Sequence, residues 1–255
     1  MDNDDQPTGT VLSRRRALKL FGWGLGGAAA GAGVLGTWSV AGRNGAGPTG
    51  ATGLPGCVVR PAQIEGPYFV TNALHRRDIR ANSSGGPVRA GVPLTLEFVV
   101  SRVALHACVP RPNIKIDVWQ CDAQGVYSGV ADNAGQFDTR GQDFLRGYQL
   151  TDAHGTASFQ TIYPGWYTGR SVHLHFSLRV ITNSKVTGEF TTQLYFPDPI
   201  TDQVHARAPY NTKGPRDRLN SEDILYRNGG SQLLLDLNGN PTGGYTATFH
   251  VGLNI

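Results

Sequence analysis

Beyond residue 57, apolar and polar residues alternate with a period of two, the spacing that sends successive side chains to opposite faces of a strand. Leu94, Leu96 and Phe98 alternate with Thr95 and Glu97, and Ile114, Ile116 and Val118 with Lys115, Asp117 and Trp119. Ala157–Ile162, Val172–Val180, Thr191–Phe196 and Tyr245–Val251 add further strand signals. Only Ser221–Tyr226 reads as helical, with Glu222 and Asp223 suited to a short first turn. Many short strands punctuated by Gly and Pro predict an all-β fold, an antiparallel β-sandwich with long loops.

The first 56 residues break this pattern. Ser13-Arg14-Arg15-Arg16-Ala17-Leu18-Lys19 precedes a Gly/Ala-rich apolar run, Leu20–Val40, and Ser39-Val40-Ala41 supplies small residues around a cut after Ala41. Residues 1–41 thus resemble a twin-arginine export signal, which places the folded protein outside the cell or in the cell envelope. A membrane anchor is the competing reading; the many glycines favour a leader that is removed, leaving no stable anchor. Gly42–Gly56 reads as a flexible linker, so a single domain is expected over 57–255.

Charge and cysteine content narrow the class. The formal charge of +4 falls to about +3 once the leader's four Lys/Arg and three Asp/Glu are set aside, too little and too scattered for nucleic acid. Cys57, Cys108 and Cys121 in an exported chain read as one disulfide and one free thiol, with the pairing open. No Cys-x-x-Cys occurs, which argues against a thiolate metal site.

The chemistry concentrates in Thr161–Phe176. His173 and His175 lie on one face of a strand and Leu174 and Phe176 on the other, so two imidazoles can reach one ion while their neighbours pack into a core. Pro164-Gly165 breaks the preceding strand and brings Tyr167 and Arg170 beside the histidines. By itself a His-x-His pair is weak, because histidines often simply hydrogen-bond. Tyr127, after the Gly-containing turn of Asp117–Ser128, reads alone as an amphipathic residue at a sandwich edge with its hydroxyl in solvent. Taken together, Tyr127, Tyr167, His173 and His175 offer two phenol oxygens and two imidazole nitrogens. A phenol gives up its proton near pH 10 unless a strong Lewis acid assists, so this donor set points to non-haem Fe(III). His75, His106, His154, His205 and His250 stand alone and read as surface or satisfied core residues.

Three motifs carry a family resemblance: Glu65-Gly-Pro-Tyr68 with Asp78-Ile-Arg80; Trp119-x-x-x-Ala123-x-Gly125-x-Tyr127-Ser128; and Thr161-Ile-x-Pro164-x-x-Tyr167 with Arg170-x-x-His173-x-His175-Phe176. In this order they resemble the intradiol ring-cleavage dioxygenases, the family of catechol 1,2-dioxygenase and protocatechuate 3,4-dioxygenase. The resemblance implies an oxidoreductase that inserts both atoms of O2 into a catechol-type aromatic and yields a cis,cis-muconate-type diacid. It also implies equatorial ferric ligands Tyr127 and His173, axial ligands Tyr167 and His175, and Tyr167 as the ligand a catechol displaces. Arg170 would steady charge on the substrate ring, and Gln193 matches a glutamine lining the oxygen site, with a surface residue as its plain alternative. Tyr163 and Trp166 read either as stacking residues or as core. Between Tyr167 and His173 the chain has five residues, a shorter loop than in the well-known cytoplasmic members, and no helical N-terminal dimerisation segment is visible. The catechol and the oligomeric state stay open. Competing readings are a secreted, non-catalytic β-sandwich module binding carbohydrate or cell wall, and a copper site on His173 and His175 alone.

Overall fold

The structure is a computed structural model that describes residues 58–71, 74–104, 107–132 and 134–253. The expected export signal, linker and Cys57 lie outside them. Among the described residues, nine strands form two sheets: β1 (Pro93–Val103), β2 (Cys108–Pro110), β3 (Ile114–Trp119), β4 (Arg146–Leu150), β5 (Thr156–Ile162), β6 (His173–Thr182), β7 (Lys185–Tyr195), β8 (Asn238–Asn240) and β9 (Gly244–Leu253). One sheet runs β2-β1-β9-β8 with β5 also on β1, and the other runs β4-β3-β6-β7. Every strand pairing is antiparallel except that of β1 with β9, which run parallel from Leu94 against Tyr245 to Arg102 against Leu253.

The alternation along β1 buries Leu94, Leu96, Phe98 and Val100, and β3 contributes Ile114, Ile116 and Val118 from the facing sheet. Phe98 meets Phe176 at 4.9 Å and Phe176 meets Phe249 at 5.7 Å between ring centroids, so the two inner faces interlock as a sandwich. The first four residues of β6 are buried on both faces, because loops cover the outer face of the four-stranded sheet there. That covered outer face holds the site.

Helical structure departs from expectation. A helix, α1 (Asp198–His205), follows β7 where none was expected. Pro197-Asp-Pro199 reads as a turn, yet a proline in the first helical turn is compatible with a helix, and the buried stripe is only Thr201 and Val204, too short to register as a period. Ser221–Tyr226 is not one helix: a 3-10 turn at Asn220–Glu222 is followed by α2 (Ile224–Arg227), with Asp223 extended between them as the cap of α2. Of the described cysteines, Cys108 is disulfide-bonded and Cys121 is a free thiol, buried with Trp119 and Tyr127. No helix among the described residues is long and apolar enough to cross a membrane.

Candidate metal centre

Strand register builds the floor of the site. His175 on β6 stands opposite Trp119 on β3 and Gln193 on β7, and Trp119 stands opposite Arg146 on β4, so the four form one row across the sheet. His173 stands opposite Tyr195. Cross-strand partners share a face, which directs both imidazoles outward while Leu174 and Phe176 enter the core.

Two loops lay the phenols over this floor. In the β3–β4 connection, Asp122 Oδ1 accepts from the N–H groups of Gln124 and Val126, and the Thr139 hydroxyl donates to the Tyr127 carbonyl at 2.6 Å. In the β5–β6 connection, the Gly165 N–H donates to Asp122 O at 3.0 Å. The loops touch too closely for a side chain between them. A Cβ on Gly125 would fall 2.1 Å from Trp166 O, and one on Gly165 would fall 2.5 Å from Ala123 O. Gly66, from the segment that closes the site, abuts His175, and Tyr68 stacks on Tyr127 at 4.5 Å.

The donor atoms converge. The Tyr167 hydroxyl and His175 Nε2 each stand 3.1 Å from His173 Nε2. His173 Nδ1 donates to Ser171 O at 2.6 Å, which fixes its proton there and leaves the Nε2 lone pair facing the cluster. Donors at right angles about one ion, each about 2.1 Å from it, stand about 3 Å apart, so the spacing fits a shared metal. The Tyr127 ring lies 5.7 Å from that of Tyr167 and 6.3 Å from that of His175, and its hydroxyl is buried with no hydrogen-bond partner. Leaving a buried hydroxyl unpaired costs about 1–3 kcal/mol, which a metal bond would offset. Among the described residues no three His, Cys, Asp or Glu side chains gather to hold a metal, so a metal here depends on the phenols.

The surrounding charges match that donor set. Burial holds His173 and His175 well below the usual imidazole range, and Arg170 adds to the effect, so both stay neutral and able to ligate. Burial, with Tyr167 beside it, pushes the Tyr127 phenol well above its ordinary value against the pull of Arg170 and Arg146. Without a strong Lewis acid, Tyr127 keeps its proton. Burial also works against a charged Arg170, but Tyr167, Asp223 and Tyr195 more than offset it and hold the guanidinium charged. Arg170 Nε donates to Asp223 Oδ2 at 2.9 Å and Nη2 donates to Gln193 Oε1 at 2.6 Å.

Several positions differ from expectation. Tyr127 is wholly buried rather than at a solvent edge. Gln193 is likewise wholly buried, its oxygen accepting from Arg170 and Tyr195 and its amide donating to Ile64 O, so it is no surface residue. Tyr163 belongs to the core and hydrogen-bonds Thr201, while Trp166 donates to Gly214 O. His205 is not fully satisfied: Nε2 donates to Pro164 O, but Nδ1 is buried without a partner.

Two buried residues of the site escaped sequence reasoning. Asp223 accepts at Oδ2 from Arg170 and from the Ser171 N–H and hydroxyl, while Oδ1 caps α2. Its position before a short helix was visible; its pairing across 53 residues was not. Arg146 lies beside Tyr127 and donates to Ser128 O, and burial draws its pKa down to about 10. Only register places it in the row with His175.

Comparison with known proteins decides the family. The model of the Dioxygenase_C family, described as Dioxygenase, matches residues 64–219, more than half of the chain. The chain belongs to the intradiol ring-cleavage dioxygenase family. This chain is 35% identical over 151 residues to the protocatechuate 3,4-dioxygenase beta chain of Burkholderia cepacia, covering 54% of this chain and 60% of that one. It is 29% identical over 162 residues to the chlorocatechol 1,2-dioxygenase of Pseudomonas sp. (strain P51), covering 54% and 55%. The chain therefore spans a little over half the length of these curated relatives. The solved intradiol ring-cleavage dioxygenase of Tetranychus urticae shares 26% identity with a TM-score of 0.65, over 78% of this chain and 95% of that one. The family acts on catechol-type substrates with O2 and uses non-haem iron.

Proposed function

We propose that this chain is a non-haem Fe(III) intradiol dioxygenase that cleaves a catechol-type aromatic between its two hydroxyl-bearing carbons, using O2, to a cis,cis-muconate-type diacid. The convergence of Tyr167, His173 and His175 within 3.1 Å contacts, beside the unpartnered hydroxyl of Tyr127, carries this reading. Tyr127, Tyr167, His173 and His175 would hold the ion. When bound, ferric iron supplies a Lewis acid that draws electron density from a chelated catecholate and makes it reactive toward O2.

The chain's own residues do the rest. The histidines enter the site neutral, so metal uptake displaces protons only from the phenols. Both phenols sit on loops, Tyr167 half-buried and Tyr127 wholly buried, which makes Tyr167 the phenol that can yield to substrate and take up a proton from it. Arg170, pinned by Asp223 and Gln193, presents a preoriented positive charge to an anionic ring, and costs no reorganisation as charge develops. Gln193 orients that guanidinium. Tyr68, stacked on Tyr127, and Gly66, against His175, cover these two donors.

The same reading places the enzyme outside the cytoplasm, because Ser13–Lys19 and the apolar run after it resemble a twin-arginine signal. Oxygen-electrode assays with catechol, protocatechuate, hydroxyquinol and caffeate-like diols test the activity. Uptake of one O2 per ring with a ring-opened diacid product supports it. A meta-cleavage semialdehyde, or no uptake by iron-replete protein with any of them, would overturn it.

A further inference from the structure

Residues Lys213–Asp217 take no part in the chemistry above, yet they grip the loop of Tyr167 on both sides of the phenol. Before it, Lys213 Nζ donates to Trp166 O at 2.8 Å, and Trp166 Nε1 donates to Gly214 O at 3.2 Å. After it, the Gly169 N–H donates to the Asp217 carboxylate at 3.1 Å. The Lys213 ammonium also donates to Gln124 O at 2.7 Å, on the loop of Tyr127, and lies 4.6 Å from the centre of the Trp166 ring. One half-buried cation therefore ties the two phenol-bearing loops together, at carbonyls three residues before Tyr127 and one residue before Tyr167.

These ties fall where the loops have least freedom to adjust. Gly125 and Gly165 let the backbones touch directly, so a shift of one loop must displace the other. A charge-assisted bond to each carbonyl holds that contact closed. The Tyr167 hydroxyl meets His173 Nε2 from this loop, and the outer partners of a metal's ligands govern how tightly the metal is held.

We propose that Lys213 and Asp217 are positioning residues that hold the Tyr167 phenol against His173 and at a fixed spacing from Tyr127, and so set how firmly the four-donor site retains ferric iron. The proposal rests on the function argued above. The test compares the full chain with Lys213→Met, Lys213→Arg, Asp217→Ala and Asp217→Asn, each alone and with Tyr167→Phe. Iron retention is read by competition with a chelator, the phenolate-to-Fe(III) absorption of the loaded protein is recorded, and melting temperature is measured beside them. Lys213→Met and Asp217→Ala are expected to lose about 10- to 100-fold in ferric affinity and to move or weaken the absorption band. Lys213→Arg keeps the donors and Asp217→Asn keeps the acceptor, so both should stay close to wild type. With Tyr167→Phe in place, Lys213→Met should cost nothing further. Unchanged retention with only a lowered melting temperature would overturn the proposal, as would an equal loss in the Tyr167→Phe background. Asp217 is exposed, so Asp217→Ala carries the test if Lys213→Met fails to fold. A wild-type chain that takes up no ferric iron would overturn the proposed function and this role with it, whereas an iron-loaded wild type matched by every variant would overturn this role alone.

Discussion

Tyr127 keeps a buried hydroxyl that has no hydrogen-bond partner in the protein. Tyr127→Phe should therefore leave the metal-free protein as stable as wild type or up to about 1 kcal/mol more stable in urea denaturation; a loss of 2 kcal/mol or more would show the hydroxyl to be structural. Arg170 and Asp223 behave oppositely, as a buried pair whose halves depend on each other. Asp223→Asn leaves the cation uncompensated and should cost about 3–5 kcal/mol of stability, against little change if the pair is dispensable. Arg170→Gln should lower turnover by about 10²–10³, the effect of removing one preoriented charge from a dry site; steady-state rates on iron-loaded protein check it. At this scale much was legible: the His-x-His spacing fixes a shared face, and the motifs around Tyr127, Tyr167 and Arg170 announce chemistry. Asp223 and Arg146 were not legible, because one reaches the site across 53 residues and the other through two strand registers.

At the scale of elements, the loops that carry the phenols depend on glycine at their contact. Gly165→Ala would set a Cβ 2.5 Å from Ala123 O and 2.6 Å from Asp122 O, both backbone atoms that cannot swing aside. It should destabilise the fold by about 1–3 kcal/mol and lower iron retention with it; normal stability and retention would mean that the loops adapt. Helix α1 joins the same region through His205, whose Nε2 donates to Pro164 O. Burial pushes this imidazole down to about 4, so it is neutral in the native state. Between about pH 6.5 and pH 4 the unfolded chain binds more protons, so stability is lost as the pH is lowered, by up to about 1.4 kcal/mol per unit from this group. Above that window its full contribution is present. His205→Gln should flatten the pH–stability curve across the window, and parallel curves would refute the assignment. Period-two alternation exposed the strands that matter most, β1, β3, β5, β6, β7 and β9. Helix α1 escaped because its buried face is two residues, and β4 because the charge of Arg146 disguised a buried strand position.

Across the whole molecule, a sandwich core fixes two sheets and the outer face of one becomes the site. This arrangement separates stability from chemistry: Leu174 and Phe176 fill the core while His173 and His175, their alternate neighbours, are free to hold an ion. Period and motif reveal that division in the sequence, but the cover over the outer face comes from loops whose path only the fold defines. The export signal expected at residues 1–41 lies outside the described residues and remains part of the proposal. The central claim is that two phenols and two imidazoles of one chain bind a ferric ion, and metal analysis with visible spectroscopy of the purified, iron-reconstituted protein tests it most directly. The account predicts one iron per chain and a coloured protein whose phenolate-to-Fe(III) band is lost in Tyr127→Phe. A colourless protein without bound iron, or a band indifferent to Tyr127, would contradict it.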